Sequence, residues 1–114
     1  RRYRALLAEV PGLTIPFGDD AVAHASCYVM PVMVDDPARR DPLRQALRER
    51  HGVQTSLLYP GIHEFTAYRE RFPGISLPRT EHASRTEVTI PLFPHMTDAQ
   101  LERVVRGIVE ELGR

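Results

Sequence analysis

The sequence has no lysine: all 15 of its basic side chains are arginine. A guanidinium stays protonated and cannot condense with a carbonyl, so no side chain of this chain can form a Schiff base with a cofactor or substrate. Cysteine is nearly as scarce. The single Cys27 has no partner for an intrachain disulfide, which fits a reducing cytoplasm, and it falls in an apolar run that marks it for the core. No apolar run approaches the roughly 20 residues of a membrane-spanning helix. The opening Arg1-Arg2-Tyr3-Arg4 leads into an amphipathic stretch rather than a signal peptide. An excess of charge is missing too, with 15 basic residues against 15 acidic ones, so no net field draws nucleic acid or an anionic membrane. Glycine-rich phosphate loops, internal repeats and low-complexity tracts are absent as well.

What is present fits one soluble globular domain spanning residues 1–114, with 42% hydrophobic and 26% charged residues. Tyr3, Leu6, Leu7 and Val10 follow helical spacing until Pro11-Gly12. No Ser, Thr, Asp or Asn precedes that helix, so it is expected to be the tail of a longer one and the chain a piece of something larger. Leu13 to Pro16 is a short extended segment, and Gly18-Asp19-Asp20 a turn. The run CYVMPVMV from Cys27 to Val34 predicts a buried strand, with Pro31 placing it at an edge or a bulge.

Asp41-Pro42 supplies an N-cap and first-turn proline for a helix carrying Leu43, Ala46 and Leu47 on one face and stopping at Gly52. Val53 to Tyr59 predicts a second strand. Pro60-Gly61 breaks it ahead of a short helical stretch with Phe65, Tyr68 and Phe72. Thr80 is expected to cap a helical turn through Arg85, after which Val88, Ile90 and Leu92 alternate with Thr89, Pro91 and Phe93 as a strand. Thr97 and Gln100 form a capping box for a last helix whose Leu101, Val104, Val105, Ile108, Val109 and Leu112 share a face, ending at Gly113. The expected fold class is α+β: a two-layer domain with a small mixed or antiparallel sheet of about three strands, covered by helices on one face.

Most candidates for chemistry have a plain structural explanation. The histidines at 24, 51, 63, 82 and 95 lie too far apart for zinc-ligand spacing. Cys27 in a strand would be an inert thiol, and Ser84 lacks the flanking glycines of a nucleophile elbow and suits local capping. Glu64, Glu70 and Glu81 sit in Arg-rich stretches typical of solvated helix faces, and Asp35-Asp36 follows a strand where turn or capping use is usual. One segment stands apart. Tyr59-Pro60-Gly61-Ile62-His63 joins a strand end to a helix start, where side chains project into clefts. A hydroxyl and an imidazole four positions apart there suit hydrogen bonds to a polar substrate, the alternative being a packed tyrosine and a surface histidine.

Four motifs occur in order over the second half: Gly52-Val53-Gln54-Thr55, Tyr59-Pro60 with His63, LPRTEHAS from Leu77 to Ser84, and IPLFPHMT from Ile90 to Thr97. Together they resemble the C-terminal domain of the DegT/StrS-type sugar-nucleotide aminotransferases, fold-type-I enzymes that use pyridoxal 5'-phosphate (PLP), and most closely members acting on UDP-linked 4-keto sugars. The first 50 residues match only in their helix-strand-helix layout. The resemblance implies amino transfer, usually from glutamate, to a keto group of a nucleotide sugar, in a homodimer. The lysine that holds PLP would belong to an absent N-terminal domain.

Carried over by position, Tyr59 and His63 are the residues expected to contact substrate, while Glu81 and Ser84 fix their local helical turn. No catalytic, cofactor-binding or metal-binding residue is expected in this chain. Two positions depart from the family pattern. Leu58 stands where many members have a histidine, and Phe65 where they have a glutamine, making this side of the cleft more apolar. Two readings follow: the non-catalytic small domain of a larger aminotransferase, or a freestanding module for oligomerisation or small-molecule binding.

Overall fold

The computed structural model describes residues 1–114. Its helices are α1 (Arg2–Leu7), α2 (Asp19–His24), α3 (Pro37–His51), α4 (Thr66–Arg71), α5 (Pro78–Thr86) and α6 (Asp98–Leu112), with a 3-10 turn at Ile62–Glu64. The strands are β1 (Leu13–Thr14), β2 (Met30–Val34) and β3 (Glu87–Ile90), antiparallel in the order β1-β2-β3. The α+β expectation of about three strands holds.

Register sorts the sheet into two faces. Leu13 pairs with Val34, Val32 with Val88 and Met30 with Ile90, so these side chains share one face. That face joins Tyr3 and Leu7 of α1, Leu43 and Leu47 of α3, and Val104, Ile108 and Leu112 of α6 in a single core. Each fully buried Val, Leu or Ile contributes about 1.5–3 kcal/mol. Tyr3 is in the core as well; its hydroxyl donates to the Pro91 carbonyl at 2.9 Å, and burial pushes its pKa up to about 12.

The capping box of α6 forms as expected: the Gln100 N–H donates to Thr97 Oγ1 at 3.2 Å, and the Thr97 N–H to Gln100 Oε1 at 2.8 Å. The C-terminal ends of α3 and α6 are joined through the side chain of Glu111, 5% exposed, which accepts from Arg50 Nη1 at 2.7 Å and from His51 Nε2 at 2.9 Å. These contacts, the His51 bond foremost, hold its carboxyl below the usual carboxylate range.

Several expectations are corrected. Helix α3 starts five residues earlier than Asp41-Pro42 implied. Asp36 is its N-cap, accepting from the Ala38 N–H at 2.9 Å, Pro37 takes the first turn, and Pro42 lies inside. Tertiary hydrogen bonds explain the choice. Arg39 reaches the carbonyls of Glu111 and Leu112, both at 3.0 Å, and Arg40 reaches that of Ser84 at 2.8 Å. Asp41 instead binds Arg40 and Arg44, which lower its pKa.

Cys27 is exposed, with φ 51°, and the strand begins only at Met30. The ladder stops at Met30 opposite Ile90. At Pro31 β2 has only β3 beside it, since β1 reaches only Met33 and Val34.

Val53 to Tyr59 is not a strand. It makes one bridge, Ser56 to Thr89. In that register the neighbouring hydrogen-bonded positions pair Gln54 with Pro91, which lacks an N–H, and Leu58 with Glu87. The Leu58 N–H is taken at 2.8 Å by the Glu87 side chain. Thr80 does not cap α5. Leu77 is its N-cap residue and Pro78 its first residue, so Thr80 falls inside the helix. Helix α2 replaces the turn read at Gly18 to Asp20.

Candidate functional site

The segment singled out in the sequence leaves the sheet at Leu58. Its departure is fixed by Glu87, a buried residue at 7% exposure whose Oε2 accepts the Leu58 N–H at 2.8 Å and whose Oε1 accepts the Thr89 hydroxyl at 2.5 Å. Tyr59 follows, 84% exposed, presenting its ring and hydroxyl outward.

His63 lies on the short 3-10 turn and points the other way. Its side chain is 9% exposed, and Nε2 stands 3.1 Å from Glu81 Oε1 on α5. The same oxygen accepts the Leu77 N–H at 2.8 Å, and Arg85 approaches the second carboxylate oxygen at 3.8 Å. The Leu77 N–H first, and then His63, hold the Glu81 carboxyl below its ordinary range, so it is ionised near neutrality. A carboxylate only accepts, so Nε2 carries the proton of this bond. Nδ1 is buried and has no partner. Glu81 therefore does fix the start of its helix, and it also binds His63. Ser84 does its local work by donating to the Thr80 carbonyl at 2.9 Å.

The four sequence motifs meet in pairs. Tyr59–His63 meets Leu77–Ser84 through the His63–Glu81 bond. Gly52–Thr55 and Ile90–Phe93 line a second feature, an open cavity of about 560 Å³ whose far wall carries Met96 and Arg103. Tyr59 and His63 do not line that cavity. Around the Tyr59 segment large apolar side chains face outward, among them Leu58 at 42%, Ile62 at 62% and Phe72 at 49% exposure.

The side chains that sequence reasoning passed over are Glu87 and, as a partner for His63, Glu81. An acid just ahead of a Val-x-Ile run carries no local sign of burial. A histidine's partner 18 positions away becomes visible only once the fold is known. No group of three or more His, Cys, Asp or Glu side chains is placed to hold a metal ion. No helix is long and apolar enough to cross a membrane.

With that geometry in place, the comparisons with known proteins are consistent with one another. The family model for DegT/DnrJ/EryC1/StrS aminotransferases matches residues 1–109. The aminotransferase TlmJ from Streptoalloteichus hindustanus superposes with a TM-score of 0.86 at 30% identity, over 98% of this chain and 29% of its own. NtdA from Bacillus subtilis, solved with bound cofactor PMP, gives 0.81 at 27% identity, over 99% of this chain and 26% of its own. DesV from S. venezuelae, solved in complex with a ketimine intermediate, gives 0.81 at 31% identity, over 99% and 30%.

The three-stranded antiparallel sheet under helices is the small-domain architecture of fold-type-I aminotransferases. The chain belongs to the DegT/DnrJ/EryC1/StrS aminotransferase family. It spans 29% of the length of TlmJ.

Proposed function

We propose that this chain is the C-terminal small domain of a cytoplasmic, homodimeric, PLP-dependent aminotransferase that moves an amino group from glutamate to the keto group of a nucleotide sugar. What carries the reading is the family match across residues 1–109 together with likeness to TlmJ over 98% of this chain but only 29% of the other. The four motifs shared with the sugar-nucleotide members support the substrate class.

The residues present do not fit covalent attachment of PLP, because the sequence has no lysine. PLP serves such reactions as an electron sink. No step of that chemistry is assigned to this chain. Its part is to bind, orient and exclude water. Tyr59 and His63 form the substrate side of the domain in this reading. The exposed Tyr59 hydroxyl donates to or accepts from a polar group of the sugar nucleotide. His63, on the same turn, lies behind it against α5. Leu58 and Phe65, both partly exposed, give this side an apolar character that favours contact with a sugar face or a base over further polar contacts.

The test is the intact mass of the protein as its host makes it, taken with its visible spectrum and its turnover of glutamate with a UDP-linked 4-keto sugar. A chain several times heavier than 13.0 kDa, coloured by PLP and active, supports the proposal. A colourless protein of 13.0 kDa overturns it and leaves a freestanding oligomerisation or binding module, to which the outward-facing apolar side chains would then belong. In the active protein, Tyr59→Phe is expected to raise KM for the keto sugar about tenfold, the usual size of one lost hydrogen bond to substrate.

A further inference from the structure

We propose that His63 is a positioning residue. Its hydrogen bond to Glu81 anchors the stretch from Tyr59 to Ser76 on α5 and so sets where Tyr59 stands relative to the substrate. The substrate clause rests on the function proposed above; the anchoring clause does not.

The first observation is the hydrogen-bond inventory of residues 59–76. The Gly61 N–H goes to Glu64 Oε2, the Glu64 N–H to the Gly61 carbonyl, the Phe65 N–H to that of Ile62, and the remaining bonds run within the α4 turn. Each closes inside the stretch. The His63–Glu81 bond is the one that leaves it. Packing within this domain supplies little in its place, since Tyr59, Ile62, Phe65, Tyr68, Phe72 and Ile75 all stay 41% or more exposed there. A stretch with few buried apolar contacts opens easily, so one cross-link weighs heavily.

The second observation is how the ring is seated. Nine-tenths of the side chain is removed from water although Nδ1 finds no partner there. An unpaired buried polar atom opposes such placement, and the Nε2–H bond to the Glu81 carboxylate offsets it. A residue that merely filled this space would be apolar.

The third is Gly61. Its backbone, at φ −54° and ψ 132°, is open to any residue. A Cβ there would fall 2.5 Å from His63 Cε1, 2.8 Å from Nδ1 and 3.2 Å from Thr80 Cγ2. The glycine therefore makes room for the ring rather than permitting a turn. Glu81 in turn is held ready by the Leu77 N–H and Arg85. Gly61, His63 and Glu81 thus act as one unit that links two of the motifs found in the sequence.

The experiment uses the full-length protein and the variants His63→Leu, Gly61→Ala and His63→Gln. Amide exchange over residues 59–76 is read by mass spectrometry, and steady-state kinetics are run with glutamate and a UDP-linked 4-keto sugar. His63→Leu removes the donor, Gly61→Ala displaces the ring while leaving both partners intact, and His63→Gln keeps a non-titrating N–H within reach of Glu81. The first two are expected to exchange about tenfold faster across 59–76 and to raise KM for the keto sugar about tenfold with kcat within about twofold. His63→Gln is expected to restore both readouts toward wild type.

Wild-type exchange in both His63→Leu and Gly61→Ala would overturn the anchoring. Faster exchange with unchanged KM would overturn its role toward the substrate. Parallel losses in kcat and KM that His63→Gln does not rescue would reduce His63 to a structural residue. A wild-type protein without turnover sinks the aminotransferase reading instead, and the exchange data still decide the anchoring.

Discussion

Replacing Glu87 by alanine tests the account of how the Tyr59 segment leaves the sheet. The carboxylate is buried and takes the Leu58 N–H at 2.8 Å and the Thr89 hydroxyl at 2.5 Å. The hydroxyl can rotate toward another acceptor; the amide cannot. An orphaned buried amide costs about 1–3 kcal/mol, and a hydrogen bond to a charged group contributes about 1.5–3 kcal/mol. Glu87→Ala is therefore expected to lower stability by about 2–4 kcal/mol. For a domain of this size that is a fall in Tm of about 8–16 °C. Glu87→Gln keeps a carbonyl oxygen for Leu58, and its amide N–H can donate to the Thr89 hydroxyl with roles reversed, so about half the loss is expected.

Thermal melting followed by circular dichroism gives the magnitude, and amide exchange at Leu58 gives the location. In Glu87→Ala that amide should exchange at least about tenfold faster than the global loss explains. A melt within about 1 °C of wild type would refute the reasoning. So would a large loss of stability with Leu58 still protected, because the carboxylate would then be acting elsewhere.

Two further outcomes follow from the helix ends. Glu111 has a depressed folded-state pKa, so the unfolded chain binds the proton more readily. The stability this residue contributes is present above its ordinary value of 4.5 and is lost as pH falls through the lower folded value. Glu111→Gln should accordingly flatten the acid limb of an unfolding curve while leaving its neutral plateau sloped as before; an unchanged acid limb would assign the acid sensitivity to other groups. Thr97→Ala removes the side chain that caps the Gln100 N–H and should lower stability by about 1 kcal/mol in urea unfolding. A loss below about 0.3 kcal/mol would mean that water replaces the cap at no net loss.

What the sequence made legible were features settled by neighbouring residues. The Thr97/Gln100 box and the apolar positions after it define α6 without help from the rest of the chain, although Val109, grouped with the buried face, is 46% exposed. The alternating Val88 and Ile90 likewise announce β3, although its start at Glu87 and its end at Ile90 were missed by one residue and by three. Features settled at a distance were not legible. Asp36-Pro37 and Asp41-Pro42 carry the same local signal for a helix start, and what separates them is whether Arg39 and Arg40 reach carbonyls on α6 and α5.

Cys27 looked like core because its neighbours are apolar. It is exposed because the ladder reaches only to Met30, opposite Ile90, three residues further on. The site divides the same way. The Tyr59–His63 loop was visible from its Pro-Gly break and its polar pair. That the tyrosine faces outward while the histidine is turned in toward Glu81 depends on the packing of α5.

Pro91 has one more consequence, for how separate molecules meet. The outer edge of β3 is the place where a second chain's strand would add itself. Ser56 already occupies the middle of that edge, Pro91 offers no donor at one end, and at the other the Glu87 carboxylate holds the Leu58 backbone in place. An incoming strand would find no run of free donors and acceptors long enough to grip. This edge is thereby protected against the edge-to-edge growth that turns short sheets into fibrils, and the protection comes from a proline and a buried acid rather than from surface charge.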